Sequence, residues 1–259
     1  MKPIVSFDVD NTLLDHRDWK IPDSAMRALE ELRKTHYIVV ASGRDMDNRY
    51  SREIRDIIRP DGIIHMNGTK ITVGDELIYE HHFDKELLRR ILTFTETMGY
   101  SVGVSVDDVD YYMHPECVEQ MDIKRWGSSE RTFLDPWKLM DLNVRTLAYI
   151  GTEDGALDIE AHFPEVKLLL FAGKMGADLV EKEASKGKGL KRLCEWFGTD
   201  IKDTVAFGDS MNDMEILQTA GIGIAMGNSI EELKAAADYV TDDISEDGVW
   251  NACRHFGLI

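Results

Sequence analysis

Two aspartates, Asp8 and Asp10, close the apolar run Ile4-Val5-Ser6-Phe7. In an extended chain, residues two apart share a face, so the two carboxylates are expected side by side at a strand's exit. Adjacent carboxylates repel, and either one takes a proton or both share a cation. Asp-x-Asp-Asn is also good turn chemistry, so the pair by itself reads as a turn or as a site. Polar groups recur after later apolar runs: Ser42 after Tyr37–Ala41, and Asp209, Asn212 and Asp213 after Thr204–Phe207. Open parallel sheets bind ligands at the carboxyl ends of their strands. Three acidic groups converging there call for a hard cation, and a few oxygen ligands bridging to a phosphate suit Mg²⁺. The Ser42 hydroxyl, the Asn212 amide, backbone N–H groups around Gly43 and a lysine would complete a phosphate cradle. Lys186, in Ser185-Lys186-Gly187-Lys188-Gly189, offers the lysine. In isolation that stretch reads as a solvated lysine in a flexible connector.

The elements that must position these groups follow a rhythm. Helical spacing of Ala25, Met26, Leu29 and Leu32 predicts a helix opened by Pro22-Asp23-Ser24. A strand over Tyr37–Ala41, a helix over Asp47–Ile58 and a strand over Gly62–Met66 follow. Apolar strands alternating with helices predict a parallel sheet buried on both faces and right-handed crossovers. Residues 70–79 read as a hairpin turning at Gly74-Asp75. From about 81 to 184 the pattern becomes mixed. Helices are expected at Lys85–Met98, Glu116–Arg125 and Asp154–His162, and strands at Tyr100–Val106, Val144–Ile150 and Val166–Phe171. The first rhythm then returns: a helix over Gly189–Phe197, a strand over Thr204–Phe207, a helix over Met214–Thr219, a strand over Ile222–Met226, a helix over Ile230–Ala237 and a short strand at Tyr239–Thr241. The expected architecture is α/β: a parallel sheet with helices on both faces, formed by residues 1–80 and 185–259, interrupted by an α+β insertion at 81–184.

The bulk properties exclude several classes. The chain has 259 residues and a formal net charge of −18. A general nucleic-acid binder wants a basic face, and an anionic membrane wants basic residues. Neither partner is expected. No run of 18 apolar residues occurs, and no apolar segment of signal-peptide type follows Met1. Three widely spaced cysteines, Cys117, Cys194 and Cys253, form no metal spacing or disulfide framework. A reducing, cytoplasmic setting is the expectation. An anionic substrate would need a local cationic site against the overall field.

The motifs together carry a resemblance. Asp8-Val9-Asp10-Asn11-Thr12 resembles the first motif, D-x-D-x-T, of the haloacid dehalogenase-like phosphatases. Ser42 resembles the second, Lys186 the third, and Gly208-Asp209-Ser210-Met211-Asn212-Asp213 the fourth. All four stand in the family's order, over nearly the whole chain. Ser-Lys-Gly, Gly-Asp-Ser-Met-Asn-Asp-Met and Ala-Met-Gly-Asn are similar to the Cof-type branch, whose type IIB cap lies between the second and third motifs. The chain departs at Asn11, where Gly is common, and at Trp250, where a small residue is common. The resemblance implies a Rossmann-like core with an inserted cap that selects the substrate. It implies an Mg²⁺-dependent phosphatase acting on phosphomonoesters of small metabolites, sugar phosphates first. Asp8 would be the nucleophile that forms an aspartyl-phosphate, and Asp10 the general acid and base. The metal would be held by Asp8, the Asp10 backbone carbonyl and Asp209, with Asp213 behind them. Thr12, Ser42, Gly43, Arg44, Lys186 and Asn212 would serve the phosphate or substrate. A sugar phosphomutase and a non-catalytic phosphate-binding regulator are alternatives that the same motifs allow.

Weaker signals have plainer readings. Gly221–Gly227 is not a dinucleotide loop, because its glycines do not lie on a strand-to-helix turn after the first strand. His81-His82 reads as hinge surface, and His16 has no second ligand at helical spacing. Arg44 reads as surface charge or as a substrate or cap contact. Arg125, Trp126, Lys174 and Met175 could read a leaving group from the insertion or be ordinary surface or core.

Overall fold

The computed structural model describes residues 2–171 and 173–259. The side chains of Arg125 and Trp126 lie outside the described set. In chain order the elements are β1 (Ile4–Phe7), α1 (Asp23–Leu32), β2 (Tyr37–Ala41), α2 (Arg52–Ile58), β3 (Gly62–His65), β4 (Lys70–Val73) and β5 (Glu76–Glu80). Next come α3 (Lys85–Met98), β6 (Ser101–Val106), β7 (Val109–Tyr112), α4 (Glu116–Trp126), β8 (Phe133–Leu134), β9 (Leu147–Ile150), α5 (Glu153–His162), β10 (Val166–Leu170) and β11 (Gly176–Glu181). The chain ends with α6 (Lys186–Phe197), β12 (Thr204–Gly208), α7 (Met214–Thr219), β13 (Ile222–Ala225), α8 (Glu231–Ala236), β14 (Tyr239–Val240) and α9 (Gly248–His255). Two compact units result: Met1–Glu80 with Ala184–Ile259, and His81–Glu183.

The first unit carries an eight-stranded sheet in the order β14-β13-β12-β1-β2-β3-β4-β5. It is parallel from β14 to β3, and β4 and β5 complete it antiparallel. Its central strand β1 is buried throughout. Val5, Phe7, Ile38, Val40, Val205 and Phe207 face one layer, with Ala28 and Leu29 of α1 and Val249 and Ala252 of α9. Ile4, Val39, Ala41 and Ala206 face the other, with Leu190 and Leu193 of α6 and Ile216 of α7. Burial on both faces is what the unbroken apolar runs encode. Phe7 pairs with Phe207 in register, and their rings stack at 4.9 Å between centroids. From β1 the chain builds outward to β2 and β3 on one side, and from β12 to β13 and β14 on the other. The β1/β12 boundary is therefore the switch point, where such sheets take ligands.

The second unit is a six-stranded sheet in the order β10-β11-β9-β6-β7-β8. All neighbours are antiparallel except β7 and β8. Leu88, Ile91 and Leu92 of α3 and Ile159 of α5 pack on Val102, Leu147, Tyr149 and Leu179 of this sheet.

Several expectations need correction. The helix predicted from Asp47 begins only at Arg52. Asp45 and Asn48 accept the backbone N–H groups of Asp47 and Tyr50, and these Asx turns compete with a helical start. The run predicted from Val144 becomes strand only at Leu147. β7, β8 and β11 were not foreseen, since each is short or broken by Asp or Gly. Nor was α9, whose entry residue Asp247 is left-handed (φ 63°) and offers no side-chain cap. Conversely, α6 starts at Lys186, three residues earlier than the periodicity suggests, because Ser185 caps it through the Lys188 N–H at 3.0 Å.

Candidate active site

The strand ends at the switch point deliver two aspartates, Asp8 after β1 and Asp209 after β12. Lys186, the first residue of α6, reaches in behind them. Its side chain is fully buried, which removes the solvated-connector reading. Lys186 Nζ donates to Asp8 Oδ1 at 2.7 Å and to Asp213 Oδ1 at 2.6 Å. Asp213 Oδ2 accepts the backbone N–H groups of Asp209 and Ser210 at 3.0 and 3.2 Å. Asp213 is thus bonded on both oxygens and locks the β12 exit loop. This approach needs glycine at 208, where a Cβ would collide with the Asp213 side chain. At Gly187 a Cβ would lie 2.8 Å from Thr219 Oγ1, so the Gly-rich stretch serves close packing of α6 on α7.

The cluster is short of positive charge. Burial pushes the Asp8 carboxyl up to about 7; Lys186 opposes this, and the Asp213 and Asp10 charges reinforce it. Burial raises Asp209 well above the usual carboxylate range, with Asp8 and Asp213 adding to the effect. Burial opposes the charge on Lys186, but Asp213 and Asp8 outweigh it and hold the ammonium above the usual lysine range. Oxygens of Asp8, Asp209 and Asp213 lie within 4.8 Å of one another, all buried. Three carboxylates facing one ammonium leave an excess negative charge, and an all-oxygen donor set fits a hard metal ion.

Asp10 points to a different set of partners. Arg44 Nε donates to its Oδ2 at 2.7 Å and Arg44 Nη2 to its Oδ1 at 2.6 Å, a two-pronged pair. His16 Nε2 lies 2.6 Å from the same Oδ1. Burial opposes ionisation here, but the bonds from Arg44 and His16 prevail and hold Asp10 well below the usual range. A carboxylate only accepts, so Nε2 of His16 carries the hydrogen. The Arg44 side chain, expected at the surface or on substrate, is instead committed to Asp10. His16, dismissed as a metal ligand, is part of the site in another capacity. Nothing in the spacing of its polar loop announces that contact.

The remaining expected residues divide. Ser42 is fully buried, and its Oγ accepts the Arg44 N–H at 3.1 Å across Gly43. Asn212 receives Ser210 Oγ on its Oδ1 at 2.9 Å and donates Nδ2 to Asn67 Oδ1 at 3.1 Å. Asn67 was not foreseen. It sits in a left-handed conformation (φ 56°), with its N–H bonded to the Ser42 carbonyl at 2.9 Å. Thr12 is fully buried, and its Oγ1 has no hydrogen-bond partner among the described residues.

Both departures from the family pattern have physical reasons. Asn11 adopts φ 58°, a conformation Gly takes freely and Asn tolerates. Trp250 packs on the first unit's core under the Arg27 guanidinium, 4.9 Å from the ring centroid. Lys174 pairs with Glu153, and His81 with Glu181, both within the second unit. A further convergence, Asp45, Asp47 and His65, is bridged by Lys70, whose Nζ lies 2.6 Å from Asp47 Oδ2 and 3.3 Å from Asp45 Oδ1. Among the described residues, no helix is long and apolar enough to cross a membrane.

A buried Asp–Lys–Asp cluster at the switch point of an α/β sheet, beside a further aspartate held by arginine, defines an enzyme of the phosphatase class. The chain belongs to the haloacid dehalogenase-like hydrolases, whose family model matches residues 5–253. It is 29% identical to YkrA of Bacillus subtilis, over 99% of this chain and 98% of that one. Its structure is similar to the subclass IIB sugar phosphatase BT4131, with a TM-score of 0.88, 30% identity, and coverage of 99% and 100% of the two chains. It is also similar to the phosphatase BT1666 of Bacteroides thetaiotaomicron, with a TM-score of 0.90, 25% identity, and coverage of 100% and 96%.

Proposed function

We propose that the protein hydrolyses phosphomonoesters of small metabolites, with sugar phosphates first among them, through an aspartyl-phosphate on Asp8. The observation that carries this reading is the placing of Lys186 Nζ on Asp8 Oδ1 in a buried, carboxylate-rich pocket. Asp8 would attack phosphorus as the ester P–O bond breaks, and Asp10, protonated from solvent when the phosphate dianion enters beside it, would give that proton to the departing oxygen. A water would then lose its proton to Asp10 and attack the phosphoryl group, releasing phosphate and the Asp8 carboxylate. Ser42, Lys186 and Asn212 would bind the phosphoryl oxygens, with the N–H groups around Gly43. Asp8, Asp209 and the Asp10 carbonyl would hold Mg²⁺, with Asp213 orienting them. When bound, the ion supplies the positive charge that the cluster lacks and neutralises charge on the transferring group. Unit His81–Glu183 is assigned as the cap that selects the leaving group. The three free cysteines support a cytoplasmic setting.

A panel of phosphorylated metabolites, assayed for released phosphate with Mg²⁺ and with Asp8→Asn as control, tests the reading. Phosphate release by the wild type and none by Asp8→Asn is expected. An isomerised sugar phosphate without free phosphate would favour the mutase instead, and no turnover of any ester would favour a phosphate-binding regulator.

A further inference from the structure

We infer that His16 is a positioning residue for Asp10, held in place by Trp19, and that the loop from Asp15 to Lys20 exists to deliver this contact. The inference rests on the phosphatase reading above. Three observations of geometry carry it. First, Oδ1 of Asp10 carries two hydrogen bonds, from His16 Nε2 and Arg44 Nη2 at 2.6 Å each, whereas Oδ2 carries one, from Arg44 Nε. Oδ2 is therefore the oxygen left to exchange a proton with substrate or water. His16 on Oδ1 keeps the carboxylate plane fixed while Oδ2 does so. Second, the imidazole is braced: it stacks on the Trp19 ring at 4.4 Å between centroids and 22° between planes. Third, the loop that carries both residues is pinned. Asp15 N–H donates to the Lys20 carbonyl at 2.8 Å, and Trp19 N–H to the Asp15 carbonyl at 2.7 Å. Trp19 takes a left-handed conformation (φ 59°) that a bulky residue adopts only under constraint. Arg17 ties the loop to Asp243 and Ser245 at 3.1 and 3.0 Å. A surface loop without a task needs no such anchoring.

In the first step, the Asp8–phosphorus bond forms and the ester P–O bond breaks; Asp10, ionised in the free enzyme, has taken up a proton from solvent beside the phosphate dianion and passes it from Oδ2 to the departing oxygen. An alkoxide leaving group needs that proton, and p-nitrophenolate does not. Misplacing Asp10 must therefore hurt the two classes of ester unequally, which a general loss of fold would not do. The quantity to read is kcat/KM, because it covers only the steps through departure of the leaving group.

The test compares wild type, His16→Ala, His16→Gln and Trp19→Ala on p-nitrophenyl phosphate and on an alkyl ester, the best hexose phosphate of the panel. General acid catalysis is worth about 10²–10⁴-fold, so losing one of the bonds that place the acid should lower kcat/KM on the alkyl ester by about 10-fold or more. On p-nitrophenyl phosphate the change should stay below about 3-fold, on the same grounds. His16→Gln, whose amide nitrogen can take the place of Nε2, should recover most of the loss. Trp19→Ala should show the same pattern more weakly. His16 is one-third exposed, and thermal unfolding of each variant checks that the fold is kept. Equal losses on both esters, no loss on either, or no recovery in His16→Gln would overturn the inference while the wild type still releases phosphate. If the wild type releases none from either ester, the phosphatase reading has failed and takes this inference with it.

Discussion

Lys186 Nζ lies 2.7 Å from Asp8 Oδ1, and both side chains are buried. The same ammonium holds Asp213, which in turn fixes the N–H groups of Asp209 and Ser210. One cation thus ties the ends of β1 and β12 together. Lys186→Ala should leave buried carboxylates uncompensated and destabilise the first unit by about 3–5 kcal/mol. Turnover should fall by about 10²-fold or more, since the proposed mechanism has this ammonium as a preorganised charge on the transferring group. Urea unfolding and phosphate release measure the two effects, and a variant that kept wild-type kcat would refute the role given to Lys186.

The raised carboxyls give a pH dependence whose sign is fixed. Asp8 is pushed up from 3.8 to about 7 in the folded chain, so the fold binds a proton there that the unfolded chain has released. Its contribution to stability is fully present below about pH 4 and is lost as pH rises through about 7. With chelator present, Asp8→Asn should therefore gain in melting temperature over the wild type as pH rises across that window. A divalent cation needs the deprotonated oxygens, so Mg²⁺ should raise the wild-type melting temperature more at pH 8 than at pH 5. Thermal unfolding with EDTA or Mg²⁺ across this range decides it; a pH-independent difference would count against the assignment.

The strands of the parallel sheet could be read directly, because burial on both faces writes an unbroken apolar run and the polar residue after each run marks the ligand edge. Lys186 was legible only through the order of the motifs. Its burial depends on Gly187 and Gly189 letting α6 approach; a Cβ at Gly189 would stand 2.6 Å from Ile64 Cγ2. The contacts of Arg44 and His16 with Asp10 were not legible, nor was the Asn67–Asn212 pair. They join residues 34, 6 and 145 positions apart through side-chain geometry that leaves no periodic trace. The late start of α2 and the unpredicted α9 have a local cause: Asx turns and an uncapped left-handed entry defeat propensity arguments.

Asn11 bears on how a motif tolerates change. At φ 58° its backbone is left-handed, and its carbonyl accepts from Asn228 Nδ2 at 2.8 Å. Asn11→Gly should keep stability within about 0.5 kcal/mol, and Asn11→Val should lose about 1–2 kcal/mol, the cost of that conformation for a residue with a branched Cβ. The backbone carbonyl contact survives either change, so the two variants isolate the dihedral. Equal melting temperatures would mean that the loop adjusts its conformation instead.

Arg44 allows the ionisation of Asp10 to be followed in turnover. Burial alone would push Asp10 up, and the two-pronged bond from Arg44, with His16, holds it well below the usual range. Arg44→Lys keeps one charge but loses the planar fork. The Asp10 pKa should then rise, and the acidic limb of the kcat profile, where on the proposed mechanism Asp10 must be ionised to take the water's proton, should move to higher pH. The expected lowering of kcat near pH 5 exceeds that near pH 8. A profile that falls by the same factor at every pH would show that Arg44 acts on something other than Asp10.

In the second unit, Arg131 offers a test of how that unit holds itself together. Its Nη1 donates to Asp110 Oδ1 and its Nε to Asp122 Oδ2, both at 2.8 Å. Asp110 is 2% exposed and Asp122 7%. Asp110 lies on β7 and Asp122 on α4, so one guanidinium joins the sheet to the helix covering it. Arg131→Ala leaves two buried carboxylates without their cation and should cost this unit about 3–5 kcal/mol. Arg131→Lys, with a single point charge, cannot span both sites and should recover only part of the loss. In a unit of about this size, 1 kcal/mol moves the melting temperature by roughly 4–8 °C. Hydrogen exchange gives the local reading: amides of β6, β7 and α4 should lose protection while those of β1 and β12 keep theirs. Equal loss of protection in both units would show that they unfold as one.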